Sequence, residues 1–177
     1  MSDTADKLTA KWVTSNLSID EYSTTRNHCI IVDLEPEARK STKAYVSGST
    51  VSKMVKAGAS FAAVRLFMHL YEIESTRRIP SRKELATALE LSEKTISSCT
   101  SLLTQLGYMY QISHRTGNHS SKMLFLGVTK VQEIRYKLAL KELVRYNSED
   151  QLKTMAHKKP EDFKALLATT EAWSIYK

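Results

Sequence analysis

Ile79-Pro80-Ser81-Arg82-Lys83-Glu84-Leu85-Ala86 begins a segment that runs on through Leu91-Ser92-Glu93-Lys94-Thr95-Ile96 to Gly107-Tyr108. Pro80 turns the residue before it away from helix. Ser81, with Glu84 three positions later, has the spacing of a capping box, in which the Ser oxygen accepts from the third amide and the Glu carboxylate reaches back to the cap amide. Leu85, Ala86 and Leu89 then form one apolar stripe on a short helix. Ser92 caps a second, longer helix whose apolar positions Ile96, Cys99, Leu102-Leu103 and Leu106 recur at spacings of three and four. Gly107 stands where a left-handed residue ends such a helix. The segment therefore predicts two capped helices joined by a tight turn.

Upstream, Phe61, Val64, Phe67-Met68, Leu70 and Tyr71 fall at helical spacing and predict a helix over about residues 61–75. Downstream of Gly107 the period changes to two. Tyr108, Tyr110 and Ile112 alternate with Met109, Gln111 and Ser113, a polar stretch runs from His114 to Lys122, and Met123–Val128 returns as an apolar run. That pattern predicts a β-hairpin with a long polar loop. Three helices followed by a hairpin is the winged helix-turn-helix order. The expected class is thus mainly α with a small β-hairpin, with the winged helix over 59–128.

The flanks are read more coarsely. Residues 1–58 form an N-terminal extension: a weakly helical stretch at Leu8–Val13, a β-branched run from His28 to Leu34 that fits a strand or a buried extended arm, and a turn at 47–50 leading into a helical turn that ends by Gly58. Residues 129–177 form a C-terminal helical region. Val131, Ile134-Arg135, Leu138, Leu140 and Leu143-Val144 predict a helix over about 129–147, with Lys130, Glu133, Lys137, Lys141 and Glu142 outward. Ser148 caps a following helix, and Pro160 starts a third that runs to Trp173. Such helices either dimerise the protein or complete the core of a monomer; a homodimer is the expectation, with two-fold DNA sites following from its symmetry.

Hydrophobic residues make up 42% and charged residues 25% of the chain, as in ordinary globular proteins. Five glycines and three prolines are few for a turn-rich sandwich and favour helices. No apolar run is long enough to span a bilayer, and the start, MSDTADKLTAKW, lacks the apolar stretch of a secretory signal; the expectation is a cytoplasmic protein without a membrane partner. Cys29 and Cys99 have no CxxC or Cys/His neighbours, so neither a disulfide framework nor a metal site is expected. The net charge is +7, which favours polyanionic partners. Residues 1–59 carry 8 basic and 7 acidic side chains, residues 60–128 carry 8 and 5, and residues 129–177 carry 10 and 7, so the excess lies in the folded parts and not in a basic tail.

The residues from Ile79 to Tyr108 resemble the winged-helix domains of bacterial transcription regulators of the GntR and MarR types, whose pattern runs PS-x-x-E-L-A, then L-x-(V/L)-S-x-x-T-(V/I), then L-x-x-x-G-(L/Y). The resemblance implies a winged helix over 60–128 that binds double-stranded DNA and regulates transcription.

The physics of the motif points the same way. The third helix of such a domain enters the major groove and offers its solvent face to base edges. With Ile96, Cys99, Leu103 and Leu106 inward, that face carries Lys94, Ser97, Ser98, Ser101 and Gln105, beside Thr95 and Thr104. Small hydroxyls permit close approach, but without Arg or Asn the helix offers modest direct readout, and more of the affinity falls to phosphates. Candidate phosphate ligands are Ser81, Arg82 and Lys83 at a helix N-terminus and Arg77 and Arg78 ahead of it, while His114, Arg115, Asn118, His119 and Lys122 around the hairpin tip form a wing that lies against the backbone or in the minor groove. Cys99 reads as a small core residue, and Tyr108 and Tyr110 as strand core.

No P-loop, dinucleotide fingerprint or nucleophile–base motif occurs, so no enzyme and no cofactor is expected. Two other functions use the same fold. One is an accessory role in replication initiation, partition or helicase loading on a plasmid or phage; the other is a protein–protein adaptor whose winged helix never meets DNA.

Overall fold

A computed structural model describes residues 29–32, 46–73, 79–116 and 119–174. The molecule is mainly α with a small β-hairpin. The described residues fall into two compact units, one ending at Val131 and the other beginning at Gln132.

The first unit contains strand β1 (Cys29–Val32), helices α1 (Gly48–Lys56), α2 (Phe61–Glu72), α3 (Arg82–Leu89) and α4 (Glu93–Gln105), and strands β2 (Met109–Thr116) and β3 (His119–Leu126). Each of its helices starts at a serine. Ser47, Ser60, Ser81 and Ser92 accept from the amides of Thr50, Ala63, Glu84 and Thr95 at 3.0–3.2 Å, satisfying one of the donors that a helix start leaves open. On α2 the buried side is Ala63, Val64, Leu66, Phe67, Leu70 and Tyr71. Phe67 stacks edge-on against Tyr108 at 5.9 Å, a geometry worth about 0.5–1.5 kcal/mol beyond area burial. Burial also pushes the Tyr108 phenol above its usual pKa, as expected of a core tyrosine. Leu85, Leu89, Ile96, Cys99 and Leu103 close the same core from α3 and α4.

Three details depart from the expectations. The first helix stops at Glu72, short of residue 75. Phe61, read as part of its apolar stripe, is 79% exposed, because a side chain at the first helical position leans past the helix start and away from the core. Residues 48–56 form a full helix instead of a single turn, and Met54 on it is fully buried in the core with α2 and α4.

The sheet has order β1-β3-β2. β2 and β3 pair antiparallel from Met109↔Leu126 out to Thr116↔His119, leaving only Gly117 and Asn118 between the last paired residues. The polar stretch expected to be a long loop is therefore mostly strand, since the backbone ladder continues whatever the side chains are. The β-branched run near residue 30 resolves as strand β1, parallel to β3 with Cys29 opposite Met123 and Val32 opposite Leu126. The base of the hairpin is buried on both faces, with Met109, Tyr110, Met123, Leu124, Phe125 and Leu126 all inaccessible.

In the second unit lie the rest of helix α5 (Val128–Leu143), then α6 (Glu149–Lys158), α7 (Pro160–Ala168) and α8 (Glu171–Ser174). Tyr136, Ala139, Leu140, Leu143, Leu152, Phe163 and Leu167 form its core. Ser148 and Gln151 make a capping box at the start of α6. The helix from Pro160 was expected to reach Trp173, but it ends at Ala168. The Thr169 and Thr170 hydroxyls donate to the carbonyls of Leu166 and Leu167 at 2.7 and 2.6 Å, the local competition by which threonine breaks a helix. Val144, placed on the stripe of α5, lies beyond its end and is exposed. Arg135, also placed among the apolar positions, is buried; it donates to the carbonyls of Ala172 and Trp173 at 3.2 and 2.9 Å and lies 4.6 Å from the Trp173 ring centre, a cation–π pair.

Candidate nucleic-acid interface

The turn between α3 and α4 is short and fixed from both sides. α3 ends with the Glu90 and Leu91 amides donating to the carbonyls of Thr87 and Ala86 at 3.3 and 2.9 Å, with Glu90 itself left-handed at φ 54. Arg65 on α2 donates from Nη2 to the Leu89 carbonyl at 3.0 Å, occupying an acceptor that the helix end leaves open. Ser92 follows at once as the cap of α4, with its oxygen 2.8 Å from the Thr95 hydroxyl. At the far end Gly107, at φ 78, lets the Tyr108 amide reach back to Leu103 and its own amide to Thr104 at 2.9 and 3.1 Å, a Schellman closure.

These caps set the rotation of α4. Ile96, Cys99 and Leu103 are buried, and Lys94, Ser98, Ser101 and Gln105 are exposed, with Thr95 and Ser97 half-buried. The Thr100 and Thr104 hydroxyls donate to carbonyls one turn back at 2.9 Å. Thr95 and Thr104 are thus engaged within their own helix, and the outward hydroxyls are those of Ser97, Ser98 and Ser101.

At the N-terminus of α3, Arg82 and Lys83 are exposed. The capping box is complete: Ser81 Oγ accepts from the Glu84 amide at 3.2 Å, and Glu84 Oε2 accepts from the Ser81 amide at 2.6 Å. The Ser81 amide is therefore occupied by a carboxylate of the protein itself. The amides of Arg82 and Lys83, which precede the first intrahelical bond, remain the donors that an external anion would meet.

On the hairpin, residues of one parity share a face, and the register places Met109, Gln111 and Ser113 with Leu126, Leu124 and Lys122. Met109, Leu124 and Leu126 belong to the helical core. Gln111, Ser113 and Lys122 continue that face outward and are exposed. Here the three elements meet: a surface depression is lined by Ser81 and Arg82 from α3, Ser97 and Ser101 from α4, and Gln111 and Lys122 from the hairpin, over an apolar floor, with no acidic residue among its walls. With Thr100 of α4 also on its wall, it holds two cations, four hydroxyls and an amide in one concavity.

Of the residues singled out from sequence, the depression therefore gathers Ser81, Arg82, Ser97, Ser101 and Lys122. Lys83, Lys94, Ser98 and Gln105 are exposed outside its walls, and Thr95 is half-buried. Arg77, Arg78 and Asn118 lie outside the described residues; for His114, Arg115 and His119 only the strand backbone is described, in register with Ser121, Ser120 and Thr116. Gln111 was not singled out. Its parity with Met109 is the signal that places it, once Met109 is known to face the helices. Among the described residues no cluster of acidic, His or Cys side chains could hold a metal ion, and no helix is long and apolar enough to cross a membrane. No protein-family model, no curated protein and no solved structure matches the chain.

Proposed function

We propose that the chain binds double-stranded DNA through its first unit and regulates transcription by occupying an operator, with α4 in the major groove and the α3 start and hairpin on flanking phosphates. The single observation that carries this reading is the acid-free depression where the α3 N-terminus, the α4 face and the hairpin converge. Neutralising phosphates releases counterions and supplies sequence-independent affinity, for which Arg82, Lys83 and Lys122 are the placed cations. A major groove about 12 Å wide admits a helix, and the serines of α4 let its axis come close to the base edges. The reading extends to a homodimer and to a cytoplasmic location. For the dimer, the second unit offers Tyr146, 84% exposed, and Val144 as apolar surface of the kind a second copy covers.

Footprinting of the full-length protein on the DNA upstream of its own gene tests the reading. A discrete protected stretch with two-fold symmetry is expected. Protection confined to repeats near a replication origin would move the protein to an accessory role in replication, and no protection anywhere would remove the operator.

A further inference from the structure

The outward face of α4 has a shortage that the hairpin makes good. Recognition helices read bases with their N-terminal turns, and there α4 offers Glu93, Lys94, Ser97, Ser98 and Ser101, of which only Glu93 and Lys94 are long and neither carries an amide. A serine hydroxyl sits directly on Cβ and extends little beyond the helix surface, with one oxygen to serve as both donor and acceptor. Gln105, the only amide of α4, is its last residue, at the end away from the groove. Among the described residues the other amide in the interface is Gln111. It is exposed, opposite Leu124 in the sheet, one step outward from Met109 on the core-facing side, and it shares the walls of the depression with Ser97 and Ser101. Lys122, a step further out, is placed for phosphate.

Resting on the DNA reading above, we infer that Gln111 is the principal base-reading residue, projecting from β2 into the major groove beside α4 and pairing with adenine. A glutamine amide both accepts from adenine N6 and donates to N7, a bidentate match that no serine can make. The serines of α4 are the complement of this arrangement, since bulkier side chains at Ser97 and Ser101 would fill the space through which Gln111 reaches the base.

The experiment is selection of bound duplexes from a random library by the full-length protein, in parallel with Gln111→Ala, Gln111→Glu and Lys122→Ala. The wild type is expected to enrich adenine about tenfold at one position of its motif, the discrimination of one bidentate pair. Gln111→Ala should lose the preference at that position and keep the rest of the motif. Gln111→Glu should move it to cytosine, whose N4 donates to a carboxylate. Lys122→Ala should weaken binding while leaving the motif intact. A motif that survives Gln111→Ala and Gln111→Glu unchanged overturns the role of Gln111 and leaves DNA binding standing. Failure of the wild type to enrich or retain any duplex overturns both.

Discussion

Arg82 and Lys122 reach one depression from two different elements, so each should hold a phosphate independently. Arg82→Ala and Lys122→Ala should each weaken binding to every duplex by roughly 1 kcal/mol and lower the slope of log affinity against log salt by about one, read by titration at several salt concentrations. Ser98→Ala and Ser101→Ala should instead alter sequence preference by about 1 kcal/mol or less, since each removes a single hydroxyl contact. A second residue-scale prediction concerns stability alone. Glu90 is left-handed without being glycine, a conformation that costs an L side chain roughly 1–2 kcal/mol. Glu90→Gly should therefore raise the unfolding free energy by about 1 kcal/mol in a urea titration, whereas Gly107→Ala, at φ 78, should lower it by about the same amount. Much of the site was legible at this scale, because Ser81, Arg82 and Lys83 follow from a cap motif and Ser97 and Ser101 from the phase of a helix. Gln111 was not, because the alternation marks Tyr108, Tyr110 and Ile112 as the core side, whereas the base of the strand is buried on both faces and it is Met109, on the side of Gln111, that also packs with the helices.

Elements were legible where their ends carry chemical signals. Ser81–Glu84, Ser92 and Gly107 mark α3 and α4, and the structure has the corresponding caps. Where the signal is only periodicity, ends drift: α2 stops at Glu72, short of the expected residue 75, and α7 ends at Ala168 although it was expected to reach Trp173. The hairpin extends well past its apolar residues because pairing is a property of backbone, which the polar side chains from His114 to Lys122 disguised. The cap of α3 does two things at once, holding the helix start and occupying the amide of the cap residue with Glu84. Ser81→Ala should cost about 1 kcal/mol of stability and also reduce DNA affinity, because Arg82 is carried on the turn it anchors. Restored stability without restored binding in Ser81→Asn, an equally good cap without charge, would show that the hydroxyl itself contacts DNA.

Across the whole molecule, what escaped the sequence is long-range. Nothing local in the run from Cys29 to Val32 specifies that its partner is β3, and nothing in α1 announces that Met54 fills the core beneath α2. Removing that side chain should be severe: Met54→Ala should cost about 2–5 kcal/mol in denaturant unfolding, marking α1 as part of the folded unit. The second unit has its own core and its own buried cation, Arg135, over Trp173, and the proposed homodimer places its exposed Tyr146 at a two-fold contact, so Tyr146→Glu should shift sedimentation towards monomer. The account as a whole rests on duplex DNA being the partner of a chain carrying +7 net charge. The most direct measurement is fluorescence anisotropy of the full-length protein with a duplex from upstream of its own gene and with a random-sequence duplex, at two salt concentrations. The account predicts tighter binding to the upstream duplex and a steep loss of affinity for both as salt rises; no binding to either at low salt would contradict it.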